Sequence, residues 1–528
     1  MLRIPEIKLS IEEDMDLLPK KIIKKLHIKD NELLSYEIYK ESIDARKGEI
    51  QFIYTLDVAV ADEEIVMQKN PHIIKTPDEE YICAAKGKEK IKGRPVIAGF
   101  GPSGMMAALL LCEMGYKPLV IERGKPVEER IKDVERFWSE GKLDSESNVQ
   151  YGEGGAGTFS DGKLTTRIKD TVRCRKVLEA FIDAGAPEEI MYKQKPHIGT
   201  DILQKVVKSI RSKILDLGGE IYFNSKLTDI IIDDNQISAV EINNDETVAS
   251  NCLVLALGHS ARDTFEKLYE KNIKIEQKAF SIGVRIEHPQ SFIDKVQYGS
   301  YAGHPRLGAS DYKLVHHCKN GRGVYSFCMC PGGLVVASAS EKNGVVTNGM
   351  SYYKRDEENA NSALLVDVKP SDFNSDHPLA GIEFQRYWEK RAWESGNSSY
   401  YAPAQKVGDF LMGIPSTKEG SVKATYKPGV VWTDLRSCLP EFAADALKEA
   451  IPDMAKKIKG FDMEDAVMTA VETRSSSPIR ITRDGSMESN ILGIFPVGEG
   501  AGYAGGIISA AVDGIKAAEM IAARFSPK

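Results

Sequence analysis

The sequence predicts an α/β protein in three parts: a small N-terminal α+β domain, a Rossmann-like parallel-sheet domain, and an α+β unit inserted into it. Three observations predict this. A strand, glycine turn, helix and strand open near residue 95, and a strand, glycine turn and helix close the chain after residue 490. Between about 275 and 465 the pattern changes to alternating strands mixed with loops and helices. The expected divisions are therefore 1–90 for the N-terminal domain, 91–274 and 466–528 for the two parts of the nucleotide-binding domain, and 275–465 for the insertion.

Bulk properties narrow the class. A chain of 528 residues exceeds one simple core, and 42% hydrophobic with 28% charged residues describes an ordinary soluble protein. A net charge of -7 makes nucleic acid an unlikely partner on general electrostatic grounds. The eight cysteines form no secreted disulfide framework. "MLRIPEIKLSIEEDMDLLPKK" has acids where a signal peptide needs an apolar core. The one apolar run near membrane length, 96–110, carries Gly and Pro at its centre, so no membrane span is expected and the location expected is cytoplasmic.

The elements follow in order. "RIPEIKL" alternates like a strand, "MDLLPKKIIKKLHI" has helical spacing, and "LLSYEIYKESIDARKGEIQFIYTLDVAV" reads as two strands joined at Arg46-Lys47-Gly48. "CAAKGKEKIKGRP" is a charged connector. "PVIAGF", "SGMMAALLLCEMG" and "KPLVIER" then make a βαβ unit, and "GIFPVGEGAGYAGGIISAAVDGIKAAEMIAARF" repeats strand, glycine turn and helix.

Gly99-Phe100-Gly101-Pro102-Ser103-Gly104 fits G-x-G-x-x-G between a strand and a helix, with Glu122 18 residues after the last glycine. Gly99 permits the tight turn, Gly101 lets amides approach a pyrophosphate, and Gly104 allows close helix packing. Pro102 and Ser103 complete the turn, and the helix directs its positive end at the phosphates. Glu122, followed by Arg123, ends the second strand and can accept from a ribose diol. The stretch is expected to hold a dinucleotide.

"NILGIFPVGEGAGYAGGIISAAVDGIKAA" resembles the second signature of flavoproteins with the glutathione-reductase type of FAD fold. Gly498 matches; the acid after it is Glu499, where Asp is commoner. The resemblance puts Glu499 at a ribitol hydroxyl and the amides of Gly505, Gly506 and Ile507 at the pyrimidine edge of the flavin. "CLVLALG" resembles the third flavoprotein strand, whose Gly258 passes close to the cofactor. FAD is the cofactor these matches imply. "GEGGAGTFSDGKLTTR", "CMCPGGLVVASASE", "NGMSYYKR" and "ETRSSSPIRITRD" resemble a bacterial family of mostly uncharacterised FAD-dependent dehydrogenases, over nearly the whole chain. Membership implies a glutathione-reductase-like FAD domain interrupted by a substrate-side domain. No second G-x-G-x-x-G follows an expected strand, so NAD(P)H, as a transient electron donor, would dock over the flavin.

Chemistry beyond the flavin has several candidates. Gly155 and Gly157 lie in the loop Gly152–Gly162, which is expected beside the cofactor; Lys163 and Asp161 could transfer protons there. Arg474 could bind an anionic substrate, or pair with Glu472, or belong to a turn before Pro478. His259 is a general-acid candidate or a loop histidine next to solvent. Cys328 and Cys330, two apart on one strand, should share a face and are expected as buried packing residues. No metal site is expected, and His316-His317 reads as a surface pair. The expected function is FAD-dependent oxidoreduction of an undefined small-molecule substrate or electron-transfer partner. The rivals are a flavin-dependent alkene reductase resembling prenyl-lipid reductases and a flavin-bound RNA-binding scaffold, with Lys20, Lys21, Lys24, Lys25 and Arg46 as its basic element.

Overall fold

The computed structural model describes residues 1–46, 48–83 and 86–527; Lys47 of the expected turn and Ala84 and Ala85 of the connector lie outside them. The N-terminal elements run strand Leu2–Ser10, helix Leu18–Leu26, strands Leu33–Asp44 and Gln51–Val60, helix Glu63–Lys69 and strand Ile74–Lys75. The strands pair antiparallel in the order second, third, first, fourth, which is the ferredoxin-like β-α-β-β-α-β topology. Alternation decides which side is inside: Leu2, Ile4, Phe52, Tyr54 and Leu56 bury one face against Leu18, Ile22 and Leu26.

The second domain is, as expected, a parallel sheet covered by helices. Its strands, in spatial order, are Ile494–Pro496, Leu253–Leu255, Val96–Ala98, Leu119–Ile121 and Glu220–Tyr222. The first four are buried along their length, which is why they read as short apolar runs rather than alternating ones. Helix Pro102–Glu113 packs against the C-terminal helix Ile507–Arg524 at a close crossing. A Cβ on Gly514 would stand 2.0 Å from the Ser103 carbonyl oxygen, so that glycine permits the approach.

The chain leaves this domain through Ile275–Gln277 and returns through Ile479–Ile481, two strands paired antiparallel. Between them lies a seven-stranded sheet. Ile282, Val284 and Ile286 of strand Phe280–Pro289 face a helix-covered apolar core, and Ser281, Arg285 and Glu287 point to the opposite, polar face. This sheet extends past the expected end at 465, because Val467–Glu472 pairs between Phe280–Pro289 and Ala402–Lys406. Among the described residues no helix is long and apolar enough to cross a membrane.

Candidate functional site

The glycine turn is built by steric necessity. Gly99 has φ +104°, and a Cβ there would stand 2.3 Å from the Ala256 carbonyl oxygen. A Cβ on Gly104 would stand 2.0 Å from the Gly99 oxygen. Pro102 occupies the first helical turn, so the Ser103 and Gly104 amides are left without intrahelical partners. Glu122 ties the turn to its surroundings, accepting from the amides of Phe100 at 2.8 Å and of Gly124 and Gly152 at 2.9 Å. A carboxylate has about four acceptor positions, which leaves one for a hydroxyl.

The loop 152–157 lies directly on this turn. A Cβ on Gly155 would be 3.0 Å from the Gly101 Cα, and one on Gly157 would be 3.3 Å from the Ile507 side chain. The N-termini of helices Pro102–Glu113 and Ile507–Arg524 therefore abut one glycine loop. Arg130 shapes that loop. Its fully buried guanidinium donates to the carbonyls of Asn148, Val149, Gly152 and Glu153 at 2.7–3.3 Å. Burial pushes this arginine down to about 10, opposed by Glu122 and Glu153.

At the C-terminal turn Gly498 has φ +75°, and its amide donates to Asp513 at 2.7 Å. Glu499 follows; burial raises its carboxyl to about 7, against the pull of Lys278. Gly505 and Gly506 are exposed at the helix N-terminus, and a Cβ on Gly258 or Gly505 would meet nothing within 4 Å. Open backbone at these glycines, two helix N-termini and two acids fit FAD: amide donors for a pyrophosphate, acceptors for ribose and ribitol hydroxyls, and side-chain-free edges for a flat ring.

The polar face of the inserted sheet borders this cleft. Ser477 donates to the Gly500 carbonyl at 3.2 Å, joining the two domains, and Ser475 donates to the Ser281 carbonyl at 3.1 Å within the inserted unit. On that face the Tyr325 and Ser281 hydroxyls share a 2.7 Å hydrogen bond, and Tyr325 and Phe327 are half-buried.

Several candidates stand in places the sequence did not suggest. Arg123 is not free for a cofactor: it pairs with Asp263 and Glu146 and stacks on Tyr151. His259 is buried rather than beside solvent, with Nδ1 3.0 Å from the Ser260 hydroxyl. Burial, then Arg474 and Arg262, pushes it down to about 3, so a neutral imidazole stands there at pH 7. Arg474 pairs with neither Glu472 nor solvent; it grips the buried Glu389, which Arg262 also holds. Glu472 pairs instead with Arg285 at 2.5 Å. Lys163 bridges Asp161 and the Met329 carbonyl. Against burial, Lys163 and Arg355 hold Asp161 well below the usual carboxylate range. Cys328 and Cys330 do not share a face. The register breaks between Phe327 and Cys330, Cys328 takes φ +40° and is exposed, and Cys330 is buried with its Sγ 3.2 Å from the Cys328 carbonyl oxygen.

Arg130, Asp513, Glu389 and Arg285 were missed. One signal existed for Arg130: Val127, Arg130, Val134 and Phe137 follow helical spacing, and all four are buried. The other partners lie too far apart in sequence to be paired by inspection.

Residues 279–475 match the family described as FAD-dependent protein, C-terminal domain-like, and residues 1–59 match a domain family of unknown function. The chain is 51% identical over 529 residues to an uncharacterized protein of Clostridium beijerinckii, covering 99% of each. Similar solved structures include a flavin-dependent brominase (13% identity, 81% of this chain and 78% of that one, TM-score 0.38). Glycine oxidase from Bacillus cereus is 12% identical, over 81% of this chain and 95% of that one, with TM-score 0.33. A geranylgeranyl bacteriochlorophyll reductase-like protein from Thermoplasma acidophilum is 12% identical, over 82% of this chain and 78% of that one, with TM-score 0.35.

Proposed function

We propose that this chain, which belongs to the family of FAD-dependent proteins shared with its Clostridium beijerinckii relative, is an oxidoreductase of the dehydrogenase type that holds FAD non-covalently. The observation that carries this reading is the meeting of two helix N-termini on one glycine loop, Gly101 against Gly155 and Ile507 against Gly157, beside the open backbone of Gly258. When bound, FAD supplies the centre that accepts and donates electrons. The chain's own residues bind and orient. Amides of the Gly101–Gly104 turn serve the pyrophosphate, Glu122 the adenosine ribose and Glu499 the ribitol. The Gly506 and Ile507 amides serve the pyrimidine edge, where the positive helix end favours negative charge. A small-molecule substrate would lie between the ring and the face carrying Ser281, Tyr325 and Phe327.

Neither rival gains a specific observation. An alkene reductase for prenyl lipids needs a broad apolar groove, and the face toward the cleft carries Ser281, Arg285, Asn361 and Glu472. Of the basic set in the N-terminal domain, Lys21 pairs with Glu13 and Arg46 with Asp44.

Anaerobic mixing with NADH, NADPH and a metabolite panel, followed by flavin absorbance, tests the reading. Bleaching by at least one donor is expected. Among the described residues one parallel sheet opens on a glycine turn, so NAD⁺ and NADP⁺ should bind with Kd above about 1 μM by calorimetry. A flavin that dithionite reduces but no donor does would sink the dehydrogenase reading.

A further inference from the structure

On the helix-covered side of the inserted sheet, away from the cleft, a hairpin and a helix bring a mixed set of donors together. His316 and Cys318 lie two residues apart at edge strand Val315–His317, and Glu449 and Asp453 lie one turn apart on helix Glu441–Ala455. One ligand atom each from His316, Cys318 and Glu449 falls within 4.8 Å of the others. We propose that His316 Nε2, Cys318 Sγ and a Glu449 carboxylate oxygen form a site for a divalent ion of the zinc type, with Asp453 as the outer carboxylate that orients the histidine.

The donor chemistry points to that class of ion. Thiolate, imidazole and carboxylate together suit a borderline-soft ion such as zinc, whereas calcium and magnesium take oxygen alone. The separation between His316 Nε2 and Glu449 Oε1 is 3.3 Å. Bonds of about 2.0–2.2 Å arranged tetrahedrally put neighbouring ligand atoms roughly 3.3–3.5 Å apart. A charge-assisted hydrogen bond would be shorter, about 2.7–2.9 Å. The other ring nitrogen makes such a bond, with Nδ1 2.8 Å from Asp453 Oδ2. A carboxylate on one ring nitrogen fixes the tautomer that turns the other nitrogen's lone pair toward a metal.

Glu449 is held from a further direction, accepting from the Lys319 amide at 3.0 Å. The Cys318 sulfur has only a long contact, 3.6 Å, to the Ala446 carbonyl oxygen. Cys318 is buried while His316 and Glu449 are half-buried, so the set is closed on the protein side and open on the other. Water would complete a three-ligand site of this kind and gives the ion a way in. Bound there, the ion would fasten the edge hairpin to the helix. It would take no part in electron transfer.

The test uses the flavin-loaded, untagged protein, dialysed against a chelator and then titrated with Zn²⁺ by calorimetry and with Co²⁺ by absorbance. Expected are one ion per chain, d–d bands of tetrahedral cobalt to the red of the flavin absorption that Zn²⁺ abolishes, and a raised melting temperature with metal. Cys318→Ser and Glu449→Gln should each remove stoichiometric uptake while keeping the flavin spectrum. Asp453→Asn should weaken binding about 10–100-fold. Absence of uptake by the natural protein overturns the proposal and leaves His316 as a hydrogen-bonding bridge between Glu449 and Asp453. Uptake that survives Cys318→Ser or Glu449→Gln unchanged overturns it too.

Discussion

The Arg130 side chain fills the space a Cβ on Gly152 would need, its Cδ 2.4 Å from that position, and its guanidinium donates to the Gly152 and Glu153 carbonyls. The glycine loop against which both helix N-termini rest is thus folded around a buried cation. Arg130→Met keeps much of the volume and removes a donor, worth about 1 kcal/mol or more each, from four carbonyls, of which those of Gly152 and Glu153 keep another from the Gly155 amide and the Thr158 hydroxyl. We expect the Kd for FAD to rise at least about tenfold, together with a lower melting temperature. A variant that melts earlier but binds FAD as before would make Arg130 a purely structural residue.

How much of this was legible in the sequence follows from how local each interaction is. The crowding at Gly99 and Gly104 comes from the turn itself and the strand beside it, so a six-residue pattern carries it. Arg130 sits in "VEERIKDVERFW", where charge reads as solvent-facing unless its spacing with Val127, Val134 and Phe137 is followed. None of the alternatives open for Arg474 reaches its actual partner, because Glu389 lies 85 residues away on another element. Cys328 was misplaced because alternation assumes an unbroken strand, and a bulge reverses it.

Glu499 gives a pH-dependent prediction. Burial raises its folded-state value to about 7, above an ordinary value of about 4.3. The folded protein therefore prefers the protonated form. That preference is fully present below about pH 4.3 and is lost as pH rises toward 7. Glu499→Gln, which does not titrate, should gain stability relative to the natural protein across this window, on the order of 1 kcal/mol by pH 8. Urea unfolding of flavin-free protein at pH 5 and pH 8 measures it. A gap that does not change with pH would refute the assigned environment.

The cysteine pair should behave unequally. Cys328 is exposed and Cys330 buried, although desolvation by the surrounding protein pushes the Cys328 thiol up to about 12, against the pull of Arg285. Peptide mapping after maleimide treatment should find Cys328 modified, slowly for an exposed thiol, and Cys330 untouched. Replacing both with serine should leave flavin reduction by its donor largely intact. Loss of reduction with fold and FAD retained would give the pair a redox role.

Whether FAD lies along the glycine loops is tested most directly at Gly101. A Cβ there would meet only the Gly155 Cα, at 3.7 Å, which is ordinary contact. Valine can therefore fold into place while its methyl groups stand where the pyrophosphate must pass. Equilibrium titration of flavin-free natural protein and of Gly101→Val, with chromatography of the heat-released cofactor, is the measurement. One FAD per natural chain, and at least about 100-fold weaker binding by a folded variant, about 2.7 kcal/mol, is the predicted result. A folded Gly101→Val variant with full flavin content, or a natural protein that releases FMN, would contradict it.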